Sequence, residues 1–394
     1  MSARPTVGIA VIGFGWMGQA HSRSYLRIPT LFPDRPADPR LVVCVDSVAA
    51  RGEEAVDSFG FASWTDDAHA AIARDDVDAV IVCTPNMLHE ELCVAAAEAG
   101  KHVFCEKPVG GTPEQTARIE RAARTAGVIT GVGYNYRWAP MVLYAKELID
   151  SGALGEITNY SGRFNSMYGS DPLGLLSWRF LEDEAGYGVS SDILSHAMDL
   201  AMMLVGDVTS LVGTRHTFIP QRPLPQPGEG THYDRGAPGD PTGAVTNEDY
   251  ASCLVRFESG ARGIFESSRS MIGPQSQMAF SVHGTEGAVS WNFETMNELE
   301  VFLVDDRWKH DGYTTVRAGD RYPFHGAFVP GDANPIGYED LKVIEALQFL
   351  GAVASGAQHE PGFAEALRYV SVQDALVRSW ATESWEEVRD VGLD

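Results

Sequence analysis

The chain is short of positive charge. Against 54 Asp and Glu it carries 30 Lys and Arg, for a formal net charge of −24 at pH 7. With no basic stripe, nucleic acid and anionic membrane surfaces are excluded as partners. The arginines are scattered, which favours an unphosphorylated substrate over a phosphorylated one. Cysteine is sparse as well. The five (Cys44, Cys83, Cys93, Cys105, Cys253) are odd in number and show no C-x-x-C spacing. Cys44, Cys83 and Cys105 lie in apolar runs, where a free thiol behaves as a small hydrophobe. No H-E-x-x-H is present either, so no metal site is expected, and the thiols point to a reducing, cytoplasmic setting. No apolar run is long enough to span a bilayer, and the residues ahead of the first strand are too few for a signal peptide. Neither an internal repeat nor a low-complexity tract is visible.

What is present is a globular composition, 44% hydrophobic and 21% charged over 394 residues. That length predicts two domains, 1–139 and 140–394. Val7–Ile12 is a continuous apolar run, as expected for a strand buried on both faces of a parallel sheet. It enters Gly13-Phe14-Gly15-Trp16-Met17-Gly18 and then a helical pattern from Gln19 to about Arg27. The glycines allow a tight turn, a close approach to a pyrophosphate and close helix–strand packing, and the helix start offers free N–H groups to phosphates. A second strand, Leu41–Val45, ends at Asp46, which can accept hydrogen bonds from a ribose and repels a 2′-phosphate. NAD is therefore expected over NADP. The Asp lies further on than the usual ~20 residues, and Pro29–Pro39 accounts for the excess as a loop.

Helical segments at about Val48–Phe59, Asp67–Arg74, Glu90–Ala99 and Pro113–Ala126 alternate with the strands Ala79–Cys83, Val103–Cys105 and Val128–Gly133. The alternation predicts a doubly wound parallel sheet. Ligands bind outside the carboxyl ends of such strands. That rim collects Gly13, Thr84-Pro85-Asn86, Glu106-Lys107-Pro108 and the Tyr134–Trp138 segment. Pro108 cannot continue a ladder, which leaves Lys107 at the mouth of a cleft.

Beyond Pro140 the texture changes to a helix (about Met141–Asp150) and alternating strands: Ile157–Phe164, Asp249–Phe257, Gly260–Ser268, Met278–His283, Ala288–Phe293 and Leu299–Val304. These predict an α+β domain with a mainly antiparallel open-faced sheet. Its free face would expose Cys253-Leu254-Val255 and Gly263-Ile264-Phe265, so a homodimer or homotetramer is expected. Pro220–Gly243 is dense in Pro and Gly and reads as a surface loop, a lid or an oligomer arm. Helices of about Tyr338–Ala354 and Phe363–Ser384 close the chain. Around Gly186–Leu204 the pattern predicts one helix capped at Ser190/Ser191. Asp192, His196 and Asp199 would form a buried polar stripe on it.

These motifs, in this order, resemble the Gfo/Idh/MocA oxidoreductases: the glycine turn, Thr84-Pro85-Asn86 with His89, Glu106-Lys107-Pro108, and Asp192-x-x-x-His196-x-x-Asp199. The resemblance implies a Rossmann domain joined to the α+β domain. It also implies hydride transfer from a carbinol of an unphosphorylated sugar or polyol to NAD, the sugar being a levoglucosan-like anhydrosugar or a glycoside oxidised at C3. Lys107 would hold the reacting oxygen, His196 would take the hydroxyl proton, and Asp192 would orient the sugar and tune the histidine. Cofactor contacts would come from Gly13, Phe14, Gly15, Trp16, Met17, Asp46, Thr84, Pro85, Asn86, His89, Glu106, Lys107, Asn135, Trp178 and Arg179. The sugar would meet Lys107, Asn135, Tyr136, Arg137, Tyr168, Asp192, His196 and Tyr338. The Asp192 carboxylate is expected to raise the His196 titration above about 6.5. Inositol or glucose dehydrogenase, an NAD-dependent glycosidase and a non-enzymatic NAD-binding regulator are the alternatives.

Overall fold

The computed structural model describes residues 4–225, 234–304 and 312–392. Six strands form the first sheet: β1 (Thr6–Ile12), β2 (Asp38–Val45), β3 (Ser63–Thr65), β4 (Ala79–Val82), β5 (His102–Cys105) and β6 (Thr130–Val132). All neighbours are parallel in the order β3-β2-β1-β4-β5-β6. The apolar runs of β1, β4 and β5 are buried because helices cover both faces. The order reverses between β1 and β4, and the crevice at that reversal is where ligands of such sheets bind.

The second sheet has nine strands: β7 (Ile157–Asn165), β8 (Val208–His216), β11 (Tyr250–Phe257), β12 (Arg262–Ser268), β13 (Gln277–Gly284), β14 (Gly287–Asn292), β15 (Glu298–Leu303), β16 (Thr314–Arg317) and β17 (Glu386–Glu387). Their order is β16-β15-β14-β13-β7-β12-β11-β8-β17. Only β7 and β12 run parallel; the remaining pairs are antiparallel. One face packs on the Leu194–Val205 and Pro140–Asp150 helices, and strand alternation sends Cys253, Val255 and Phe265 into that core. Leu254 and Ile264 point the other way and are exposed. The outward face is thus less apolar than the sequence reading supposed.

Local readings also shift. The first helix runs through Pro29, spanning Trp16–Leu31, and Asp38-Pro39 already pairs with Thr6-Val7 in β2. The expected Pro29–Pro39 loop shrinks accordingly. Gly186–Leu204 is not one helix. Two helices, Val189–Asp192 and Leu194–Val205, are separated by Ile193 at φ −118, so Asp192 and His196 do not share a helical face. Strand β8, unforeseen, fills the sheet beside β11. Within Pro220–Gly243 the strands β9 (Gln221–Pro223) and β10 (Thr242–Ala244) pair as a small ribbon, and 226–233 lie outside the described residues.

The Tyr338–Ser355 helix crosses back onto the first sheet. Its Val343, Leu347, Phe349 and Leu350 pack with Val7, Ile9, Ile28 and Phe104, and the pairs Arg23–Glu339 and Arg27–Asp340 pin it to the first helix. The turn after β6 is tied to the second sheet's helices by Arg137. Its Nε and Nη2 donate to Asp199 at 2.8 and 2.7 Å, with side chains 6% and 1% exposed. Removing one partner strands the other charge in the core, so Asp199→Ala should cost about 3–5 kcal/mol of stability. Chemical denaturation checks this; a loss within measurement error would mean the pair is not the clasp described.

Candidate active site

Lys107 is placed by the end of β5, where Glu106 N–H still donates to Val82 O at 2.9 Å. The Glu106 side chain turns away from water. Its Oε1 lies 2.8 Å from His21 Nε2 and accepts from Lys342 Nζ at 2.7 Å. Burial alone would raise this carboxyl, but Lys342 and the His21 hydrogen bond outweigh it and hold Glu106 ionised. The same carboxylate accepts the Lys107 N–H at 3.3 Å. A side chain at Gly133 would meet Glu106 Oε2 at 2.5 Å, so only glycine leaves room for the carboxylate.

Lys107 Nζ reaches across to the second sheet's helices. It donates to Asp192 O at 2.7 Å and to Asp192 Oδ1 at 2.8 Å. Tyr168 OH donates to Asp192 Oδ2 at 2.8 Å, and Arg179 Nη1 stands 3.4 Å from Oδ1. Burial would push the Asp192 carboxyl up; the charges of Lys107 and Arg179 and the two hydrogen bonds overcome it and hold Asp192 far below the usual carboxylate range.

His196 sits among rings, with Tyr136 at 4.8 Å, Tyr134 at 5.8 Å and Phe164 at 6.0 Å between centroids. Its Nδ1 is buried without a partner. Burial first, then Lys107 and Lys342, push its pKa well below the ordinary 6.5, and Asp192 and Glu106 do not compensate. This reverses the sequence expectation. Asp192 spends its oxygens on Lys107, Tyr168 and Arg179 instead of the histidine, and its field is largely cancelled by the ammonium it binds.

These groups line one cleft of about 1480 Å³, larger than a single small ligand needs. Gly13, Gly15, Trp16, Met17, Asp46, Thr84, Pro85, Asn86 and His89 border it on one side. Glu106, Lys107, Asn135, Tyr136, Tyr168, Trp178, Arg179, Asp192, His196 and Tyr338 complete it. Two predicted site residues lie elsewhere. Arg137 is turned into the core by its bond to Asp199, and the Phe14 ring packs on Phe59 and Phe61. Phe164, Ser177, Gln275, Ser276 and Phe293 also line the cleft. Gln275 and Ser276 sit in a turn ahead of β13 with no motif to flag them, whereas Phe164 and Phe293 end predicted strands and could have been singled out. Buried Lys342, behind the cleft, had no signal beyond being a lone cation in an apolar helix.

The glycine-turn side fits a dinucleotide. Gly13 has φ +90 and a Cβ there would meet Cys83 O at 2.8 Å; Gly15 has nothing within 4 Å on the side a Cβ would occupy. The Trp16–Leu31 helix starts at this turn and presents its N-terminus to the cleft. Thr84 Oγ1, Asn135 Nδ2 and Ser177 Oγ, all on cleft-lining residues, are buried polar atoms with no partner. Asp46 Oδ2 accepts Phe14 N–H at 2.7 Å and Oδ1 accepts Val48 N–H at 2.8 Å. Each oxygen keeps a lone pair for a ribose hydroxyl. Arg51 Nη1 stands 3.7 Å from Asp46, a cation the sequence reading did not weigh at this end.

The family model "Oxidoreductase family, NAD-binding Rossmann fold" matches residues 7–134, and "GFO/IDH/MocA C-terminal domain" matches 142–290. The chain belongs to the Gfo/Idh/MocA oxidoreductases. It is 37% identical to levoglucosan dehydrogenase of Pseudarthrobacter phenanthrenivorans, over 98% of this chain and 99% of that protein. It is 27% identical to inositol 2-dehydrogenase of Rhizobium meliloti, over 95% and 97%. A solved structure titled levoglucosan dehydrogenase, complex with NADH and levoglucosan, superimposes with a TM-score of 0.91 at 36% identity, covering 97% of this chain and 99% of that one. As a Gfo/Idh/MocA oxidoreductase the chain carries an NAD-binding Rossmann domain, the fold read from its first strand and glycine turn.

The lowered His196 pKa fixes the direction of a pH test. Any step that needs the neutral His196 imidazole stays available down to below pH 6.5, so an acidic limb of kcat/KM set by this group should fall below that value. A rate-against-pH series on purified enzyme checks it; a limb centred above 6.5 would contradict the site as described.

Proposed function

We propose that the protein is an NAD-dependent dehydrogenase that oxidises a secondary hydroxyl of an unphosphorylated sugar. A levoglucosan-like anhydrosugar or a glycoside at C3 is the substrate most in keeping with its relatives. The observation that carries the reading is a neutral, water-shielded His196 in the same cleft as an ammonium held by a half-buried carboxylate. The bound nicotinamide supplies the hydride acceptor. His196 takes the hydroxyl proton at a ring nitrogen as the carbinol C–H bond breaks, leaving a ketone. Lys107 stabilises the negative charge that builds on the sugar oxygen, and its two contacts to Asp192 keep it in position. Asp192 Oδ2, which accepts from Tyr168, keeps a further lone pair, and with Tyr168 and Arg179 it orients the hydroxyls flanking the reacting one. Each of Lys107 and His196 is worth roughly 10²–10⁴-fold in rate.

The cleft also argues against a phosphorylated sugar. On its sugar side the cations are Lys107 and Arg179, and both are already engaged by Asp192. In this reading residues 1–139 bind the dinucleotide and 140–394 hold the sugar and the oligomer contact. Leu254, Ile264 and Trp385 on the open sheet face, all exposed, form the apolar centre of a homodimer or homotetramer interface. Five unpaired thiols suit a cytoplasmic setting, and no helix among the described residues is long and apolar enough to cross a membrane.

Levoglucosan, glucose, a methyl glucoside and myo-inositol should be offered with NAD and with NADP, following the reduced cofactor. Turnover of a neutral sugar with NAD strongly preferred is the expected result, and Lys107→Ala should lower it by about 10²-fold or more while NAD still binds. Equal use of NADP would overturn the role given to Asp46, and no turnover of any neutral sugar or cyclitol would overturn the function.

A further inference from the structure

The ribbon β9–β10 has no part in the chemistry above, yet it is stitched to the segment that closes the sugar side of the cleft. That segment, residues 166–181, carries Tyr168, Trp178 and Arg179. Leu176 N–H donates to Pro223 O at 2.8 Å, Leu175 N–H to Asp234 O at 3.0 Å, and Gly236 N–H to Leu173 O at 2.9 Å. Arg222, in the middle of β9, is 1% exposed. Its Nη1 donates to Asp171 O at 2.8 Å, and its Nη2 donates to Gly169 O, next to Tyr168. Its guanidinium lies 4.0 Å from the centre of the Phe180 ring, and Arg269 lies 4.5 Å from the same ring. Arg269 in turn donates to Arg179 O at 3.1 Å and to Asp249 Oδ1 at 2.7 Å. Asn247 Nδ2 also donates to Arg179 O, at 3.1 Å.

A guanidinium buried with its Nε unpartnered is a costly way to fill space, since an apolar side chain would pack there without a desolvation loss. What it supplies is direction. A planar fork aimed at two carbonyls fixes the backbone on either side of Ser170 in a way an apolar contact cannot. We infer that the ribbon β9–β10 is the back wall of the sugar subsite, with Arg222 as a positioning residue that sets Tyr168 and Arg179 against Asp192. The inference rests on the proposed sugar-dehydrogenase reading for what the wall binds. Its mechanical part stands alone: Arg222 holds residues 168–176 in place, and Arg269 holds Arg179 and Phe180. Among the described residues the bonds of this ribbon go to residues 169–176, on the sugar side of the cleft, and not to the glycine turn.

The test compares Arg222→Met and Arg222→Lys with the wild type by steady-state kinetics, NAD binding and amide hydrogen exchange. Arg222→Met should raise the sugar KM by at least about tenfold, as expected for losing hydrogen bonds from a charged group. The NAD Kd, set mainly by the glycine turn and Asp46, should change clearly less than the sugar KM, with Arg222→Lys recovering part of the loss. Amide exchange should speed up at Gly169, Leu175 and Leu176 while β12 keeps its protection. If Arg222→Met does not fold, Arg235→Ala decides, because its exposed partner Asp171 anchors the same segment at 2.8 Å. It should speed the same amides to a smaller extent. Should the wild type oxidise no sugar, the exchange data still decide the mechanical part. Unchanged exchange and sugar KM would overturn the inference. So would a uniform loss of stability with KM intact, or a changed oligomeric state with kinetics per site unaltered.

Discussion

The bond between Lys107 and Asp192 is the contact on which the site depends. It joins the end of a strand in the first sheet to a helix end under the second, and it closes the cleft from both sides. Two opposite charges in a poorly hydrated cleft attract strongly but have each lost their water, so the pair is stable only if its remaining hydrogen-bonding capacity is met. Tyr168 and Arg179 meet it on the Asp192 side. The arrangement keeps a cation at a defined place with its charge only partly neutralised, which in the proposed reaction is what a developing alkoxide needs.

Behind that pair lies a second buried charge system. Glu106, His21 and Lys342 form a compact cluster, with Lys342 also donating to Glu345 at 2.9 Å. Lys342 arrives on a helix that follows β16 of the second sheet in sequence but packs against the first. The cluster therefore ties the Lys107 turn to a distant part of the chain. It also shapes the electrostatics at His196, where the cations Lys107 and Lys342 face the ring and oppose its protonation. The same two lysines thus add to burial in keeping the His196 imidazole neutral.

How much of this was legible in the sequence follows from range. The strand, glycine turn and helix at Val7–Leu31 are local, and sterics alone demand glycine at Gly13. Alternating β and α segments fixed the parallel sheet for the same reason. The cleft residues at strand ends were legible because a parallel sheet gathers its carboxyl ends on one rim. Partners were not. Asp192 meets Lys107 across 85 positions, and no spacing rule connects them. The i, i+4 spacing of Asp192 and His196 suggested a pair, but the break at Ile193 and the pull of Lys107 dissolved it. Arg137 looked like a substrate ligand beside Asn135 and Tyr136. In the tight turn after β6 its side chain leaves on the other side and finds Asp199.

The central claim is that His196 is held neutral, by burial first and by Lys107 and Lys342 next, while Asp192 is spent on Lys107. Ring carbon resonances of histidine-labelled protein, with the His196 signal assigned by its loss in His196→Gln, report the ionisation of this group directly. The account predicts that His196 titrates below pH 6.5 in the wild type and that Lys107→Met moves the titration upward, because an opposing cation is gone and the Asp192 charge is unmasked. A His196 titration above 6.5, or one indifferent to Lys107→Met, would contradict it.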